Sequence, residues 1–233
     1  MGFIERLLCP GVYLSPWQDN HDCSRLILHD LIWQLKVKGK HVAMTPNRDT
    51  LIVTGSNDET GLAAMAKIAQ AALDQPRLMS TIAFVLNDST WTPFLPPANH
   101  PQHLTFKILQ LQTYIRDYDE QKELLVKQLK KSGEDVFVAS FKAMQEPQAG
   151  PAFSMCVWSQ GVNTLLPRAD RVVFMTVDGK KNAKTVGTVE WSRVQEVVGQ
   201  LMKPYAEYPE RYCVTEFPNE NQFKEMMRGE SHP

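Results

Sequence analysis

The chain has 233 residues, 43% hydrophobic and 22% charged, and a net charge of −1. Such a chain can bury a sizeable core without disulfides or metal, and its near-zero charge argues against a partner held by bulk attraction to nucleic-acid phosphates. No stretch approaches the roughly 18 consecutive apolar residues of a membrane helix.

The first stretch, "MGFIERLLCPGVYLSP", carries Glu5 and no long apolar run, so it does not read as a signal peptide. Arg6 stands where a myristoylation motif wants Ser or Thr. Cys9, Cys23, Cys156 and Cys213 form no CxxC pair and no zinc spacing, which fits a cytoplasmic protein with reduced thiols. Residues 22–38 predict an amphipathic helix on Leu26, Ile27, Leu31 and Leu35, with Asp22 as N-cap and Gly39 as stop.

"HVAMT" and "TLIVTG" then read as two strands joined at "PNRD". A helix over 56–76 follows, with Ser56 and Glu59 as a capping box and an apolar stripe of Leu62, Met65, Ile68, Ala69 and Ala72. "STIAFVL" and "TWTPFLPP" predict a second strand pair turning at "NDS". From 101 to 132 apolar residues recur at helical spacing and Gly133 closes the run, while "LTFKILQLQ" also alternates as a strand would. The second half opens with two β-rich runs around "QEPQAGP", continues through "VNTLL" and "RVVFMTV", and then shows a polar loop, "DGKKNAKTVGT". "VEWSRVQEVVGQLM" predicts a helix, and 218–233 a flexible tail.

"TPNRDTLIV" (45–53) and "LPRADRVVF" (166–174) echo each other: proline, two residues, aspartate, one polar residue, three apolar ones. In both, a strand leads into the motif, and a strand, a polar loop and a helix follow. The echo admits two related β-β-α units or coincidence. Pro46 and Pro167 are expected at the second position of a turn, with Asp49 and Asp170 accepting a turn amide. The unbroken apolar triplets predict central strands covered on both faces. The fold expected is α+β, a mixed and largely antiparallel sheet with packed helices, as one domain over 1–233 with candidate halves at 22–132 and 133–217.

Chemistry-bearing patterns are sparse. His100 and His103 have metal-compatible spacing but no carboxylate nearby in sequence, and they read as surface histidines; His21, His29 and His41 are scattered. Cys156 lies in an apolar run and reads as a buried thiol. Lys180, Lys181 and Lys184, and the "KQLKK" run at 127–131, read as solvated charge. Trp91, Trp158 and Trp191 read as core edges. No catalytic residue, cofactor or metal ligand is assigned. The candidate ligand- or partner-binding residues are Arg48, Asp49, Arg168 and Asp170, whose arginines could grip a carboxylate or phosphate if both turns line one cleft.

The run "KGKHVAMTPNRDTLIVTGS", with a helix before it and an acidic-capped helix after it, resembles a pattern in the YtpQ-like family of uncharacterised bacterial proteins, over residues 24–75. The resemblance implies a bacterial cytosolic protein and brings no catalytic residues. Together these features lead to the expectation of a non-catalytic protein-interaction protein (an adaptor, an immunity-type neutraliser or an accessory), with a protein partner or as a homodimer. The alternative is a small-molecule-binding protein or enzyme with a cleft near the two Pro-x-x-Asp turns.

Overall fold

The computed structural model describes residues 6–148, 150–177 and 183–228. The fold is α+β, in two compact units, Met1–Thr113 and Tyr114–Pro233. Their boundary falls inside the long helix, well before the division at 132/133 expected from sequence. Among the described residues no helix is long and apolar enough to cross a membrane.

The first unit holds β1 (Arg6–Cys9), β2 (Val12–Leu14), a 3₁₀ turn (Cys23–Ile27), α1 (His29–Ile32), β3 (His41–Asn47), β4 (Thr50–Gly55), α2 (Glu59–Ala72), β5 (Leu78–Asn87), β6 (Thr90–Phe94) and the start of α3 (His103–Ser132). Its sheet is antiparallel throughout, in the order β1-β2-β4-β3-β5-β6. The apolar triplet in β4 is explained by two cores. Ile52 joins Val42, Met44, Leu62 and Met65 on the α2 face, while Leu51 and Val53 join Ile32 and Ala43 on the other. Both faces are dry, so alternation is lost. Leu62, Met65, Ala66 and Ala69 form the buried stripe of α2, and full burial of Leu62 or Met65 contributes about 1.5–3 kcal/mol each.

Local details differ from the sequence expectation. The helix over 22–38 is not continuous: Leu28, at φ −90° and ψ 63°, separates the 3₁₀ turn from a four-residue α1. Leu26, Ile32 and Leu35 reach the sheet separately, and that packing overrides helical propensity. Asp22 makes no N-cap bond; its carboxylate instead accepts from the Asp19 amide at 3.3 Å. The cap of α2 is Asp58, which accepts from the Gly61 amide, not Ser56. Ser56 Oγ is taken by the Lys40 amide, because Gly39 at φ +83° turns the chain against it. The expected strand pair at "NDS" is β5 with β6, meeting at Asn87 and Thr90.

The second unit continues α3 from Tyr114 and adds β7 (Phe137–Val138), β8 (Lys142–Gln145), β9 (Ala152–Ser159), β10 (Thr164–Pro167), β11 (Arg171–Val177), β12 (Ala183–Glu190), α4 (Trp191–Val198), β13 (Lys203–Glu207), β14 (Glu210–Val214) and α5 (Glu220–Met227). Two four-stranded sheets form, β13-β14-β10-β7 and β12-β11-β9-β8, with β10/β7 and β9/β11 parallel and the other neighbours antiparallel. Leu125 and Leu129 of α3 pack on Val138 and Leu165. On the inner face of the β9/β11 sheet, Trp158 and Phe174 meet Phe217 and Phe223. The stretch expected as a tail from 218 therefore holds a packed helix, fastened by a capping box between Asn219 and Gln222. Part of the expected polar loop is β12, hydrogen-bonded to β11; Lys180 and Lys181 lie outside the described residues.

Candidate functional site

The two echoed motifs are built differently. Asn47 and Thr50 pair across the β3/β4 hairpin, so only Arg48 and Asp49 form its tip. Pro46 is buried within β3, at a register irregularity between Met44 and Asn47. Proline has no amide to give a ladder, and the irregularity accommodates it inside an inner strand. The turn amide, that of Asp49, is accepted by Asn47 Oδ1 at 3.1 Å. Asp49 Oδ1 instead accepts from the Asn20 amide at 2.8 Å, and the Arg48 carbonyl from the Cys23 amide at 3.3 Å. The tip thus fastens the incoming 15–23 segment, while the Arg48 side chain is exposed and has no hydrogen-bond or ion-pair partner among the described residues.

The second motif is no hairpin. Pro167 ends β10 and pairs with Arg211 of β14, while Arg171 begins β11 beside Met155 of β9. Residues 168–170 pass the chain from one sheet to the other, so of the two readings the echo admitted, a second β-β-α unit like the first is not formed here. Asp170 clasps Ser154: its carboxylate accepts from the Ser154 amide at 2.7 Å and hydroxyl at 2.8 Å, and its own amide donates to that hydroxyl at 2.8 Å. Arg168 is exposed and reaches Glu210 at 3.1 Å. Both aspartates therefore fasten local structure, Asp49 in the first unit and Asp170 in the second.

Sequence reasoning missed the polar centre of the second unit. Arg211 is fully buried. Its guanidinium donates to the carbonyls of Ala139, Leu165 and Tyr118 and to Gln121 Oε1, and lies 5.2 Å from the Tyr118 ring centroid. Burial lowers its pKa to about 10. The Tyr118 hydroxyl donates to the Glu210 carbonyl, and burial pushes its pKa up. Tyr208 donates to Asp117 Oδ2 at 2.5 Å; burial, then that bond, push its pKa up. One arginine in "ERYCV" gives no sequence signal of this burial. Burial also pushes Cys156 up to about 12, as an inert core thiol requires.

The histidines serve local structure: His103 Nδ1 lies 2.6 Å from the Pro96 carbonyl, and His100 Nδ1 accepts from the Gln102 amide. Among the described residues no group of three His, Cys, Asp or Glu is placed to hold a metal. Trp158 and Trp191 are buried and Trp91 is half-buried, its indole N–H donating to the Leu26 carbonyl at 2.9 Å.

The outer surface of the 15–35 cover carries the clearest recognition chemistry. Ile27 is 75% exposed and Trp33 45%, and Leu28 and Trp17 are also exposed, with Arg25 stacked 4.2 Å over the Trp17 ring. Asp19 holds Arg25 in a two-bond pair, which keeps the Asp19 carboxyl well below the usual carboxylate range. His29 lies between the Trp33 and Trp91 rings, 6.3 and 6.2 Å from them. Helix α2, on the opposite face of the same sheet, shows Glu59, Thr60, Lys67 and Gln70 outward instead. No family model, curated protein or solved structure matches the chain.

Proposed function

We propose that this chain is a non-catalytic protein-interaction protein of the bacterial cytosol, of the adaptor, immunity or accessory kind. The observation that carries this is the outward display of Ile27, Leu28 and Trp33 on a cover whose inner side already fills the core. Exposed tryptophan and arginine are side chains enriched in protein–protein hot spots, and the exposed Ile27 and Leu28 beside them add apolar surface for a partner to cover. Free thiols at Cys23, Cys156 and Cys213 support a reducing compartment. The test is affinity capture from the source cell's lysate with the wild-type chain and an Ile27→Glu/Trp33→Glu variant. Wild type recovers a stoichiometric partner, and the folded variant loses it by roughly 30-fold or more. Equal recovery by both, or none by wild type, overturns the reading.

A small-molecule site at the first turn is a second reading, supported by the exposed Arg48 guanidinium. It expects a calorimetric signal with phosphate or citrate that Arg48→Ala abolishes.

A further inference from the structure

The end of the first sheet that carries the β3/β4 tip holds a second arginine. Asn47 of β3 pairs with Leu78 of β5, and the next residue outward on each strand is an arginine, Arg48 on one and Arg77 on the other. Asn20 joins the two sides. Its amide donates to Asp49 Oδ1 at 2.8 Å, and its side-chain oxygen accepts from Arg77 Nη1. Asn20, at φ +65°, and Arg77, at φ +64°, are both left-handed. Asparagine takes that conformation readily and arginine does not. Arg77 thus carries a strained backbone where its guanidinium reaches the segment tied to the tip.

Neither arginine is neutralised by an ion pair. Both are exposed, and among the described residues Arg48 has no partner and Arg77 only the neutral Asn20 side chain. Asp49 gives one oxygen to the Asn20 amide, and Asp19 is closed on Arg25 in a two-bond pair. Asp74, also exposed, pairs with neither arginine. A guanidinium offers several N–H donors, of which Arg77 spends one within the chain and Arg48 none. The Asn20 side-chain amide N–H groups also have no partner among the described residues. Donors from two guanidiniums and an amide, set on three separate segments, suit a tetrahedral dianion better than a flat carboxylate, which a single arginine fork already satisfies.

We infer that this end of the first sheet binds a phosphate monoester group, gripped by Arg48 and Arg77 with the Asn20 amide between them. The site is that of the small-molecule reading of the first turn, on which this rests, with the second arginine and the class of anion added.

Titration of the full chain with phenyl phosphate, followed at the arginine side-chain N–H signals by NMR, reads the site. The Arg48 and Arg77 signals shift together and saturate with a Kd on the order of 1 mM. Benzoate, with the same ring and a flat monoanion, binds at least about fivefold more weakly. Arg48→Ala and Arg77→Ala each weaken phenyl phosphate binding about tenfold. Arg77→Gly does the same while relieving the left-handed backbone, so the loss is not one of folding. Equal affinity for a phosphoserine peptide assigns the ester to a small molecule. A peptide at least about tenfold tighter assigns it to a phosphorylated chain, and the phosphate grip stands in both cases. Citrate or benzoate that shifts Arg48 alone, with Arg77→Ala lacking effect, leaves the small-molecule reading in place and overturns the phosphate grip. The absence of a saturable shift with any of these anions overturns both.

Discussion

"PNRD" and "PRAD" share a proline and an aspartate at the same spacing, yet one closes a hairpin and the other hands the chain between two sheets. What decides the outcome lies outside the motif. Around the first, strands β3 and β4 each have their other edge in the same sheet, so the two-residue tip suffices. Around the second, β10 is claimed by β14 and β7, and β11 by β9 and β12. Proline and aspartate only make a chain reversal cheap; partner strands choose its use. The aspartates diverge accordingly, one holding a loop amide and the other a residue of a central strand.

The difference predicts unequal stability effects, and the largest belongs to the second region. Arg211 pairs with Pro167 and binds three carbonyls that have few alternatives in the core. Arg211→Ala leaves those acceptors dry and opens a cavity, so a loss of about 4 kcal/mol is expected in urea unfolding. Burial depresses the Arg211 pKa to about 10, so its charge opposes folding at all pH below that value. That penalty fades only as pH rises toward the ordinary arginine value, and at neutral pH the four bonds must offset it. Arg211→Lys should not rescue, because an ammonium lacks the planar fork that reaches several acceptors at once. Rescue within about 0.5 kcal/mol of wild type would show that the fork is dispensable.

Asp170→Ala comes next, at about 2–3 kcal/mol, since it strips a charged acceptor from a buried serine amide and hydroxyl. Cys156 gives a local readout. It lies two residues from Ser154 on β9, and burial pushes its thiol up to about 12, so thiol reagents should label native protein very slowly at pH 8. Releasing the clasp should let β9 and β11 open and speed that labelling by about tenfold or more. Asp49→Ala should leave the Cys156 rate unchanged. Equal acceleration by both would mean that Cys156 reports global unfolding only.

Much of the first unit was legible in the sequence because its signals are local. The two hairpins have turn residues between apolar runs, and the stripe of α2 repeats over fourteen residues. The second unit was legible as a set of strands but not as two sheets, because the β9/β11 and β7/β10 pairs are parallel and non-consecutive. Such pairs leave no turn signature between the partners. The clasp of Asp170 on Ser154 and the burial of Arg211 were hidden for the same reason: each joins residues far apart in the chain. The 22–38 stretch failed differently. It carries helical periodicity, but the sheet face takes only Leu26, Ile32 and Leu35, which leaves Ile27 and Trp33 outside.

The smallest effects test whether the arginines at the two tips are equivalent. Asp49→Ala removes one bond to the Asn20 amide in an exposed setting and should cost about 1 kcal/mol. Arg48→Ala should change stability by less than about 0.5 kcal/mol, since its guanidinium touches no partner among the described residues. Arg168→Ala should do nearly as little, because its pair with Glu210 is over half exposed on the arginine side and solvent screens it. The two separate under salt. Raising ionic strength should shrink the small Arg168 effect and leave the Arg48 effect unchanged, because only Arg168 has an ion pair to lose among the described residues. A salt-dependent loss at Arg48 in urea unfolding would instead mean that this tip is held by a charge, and the two turns would then be closer in kind than their strands are.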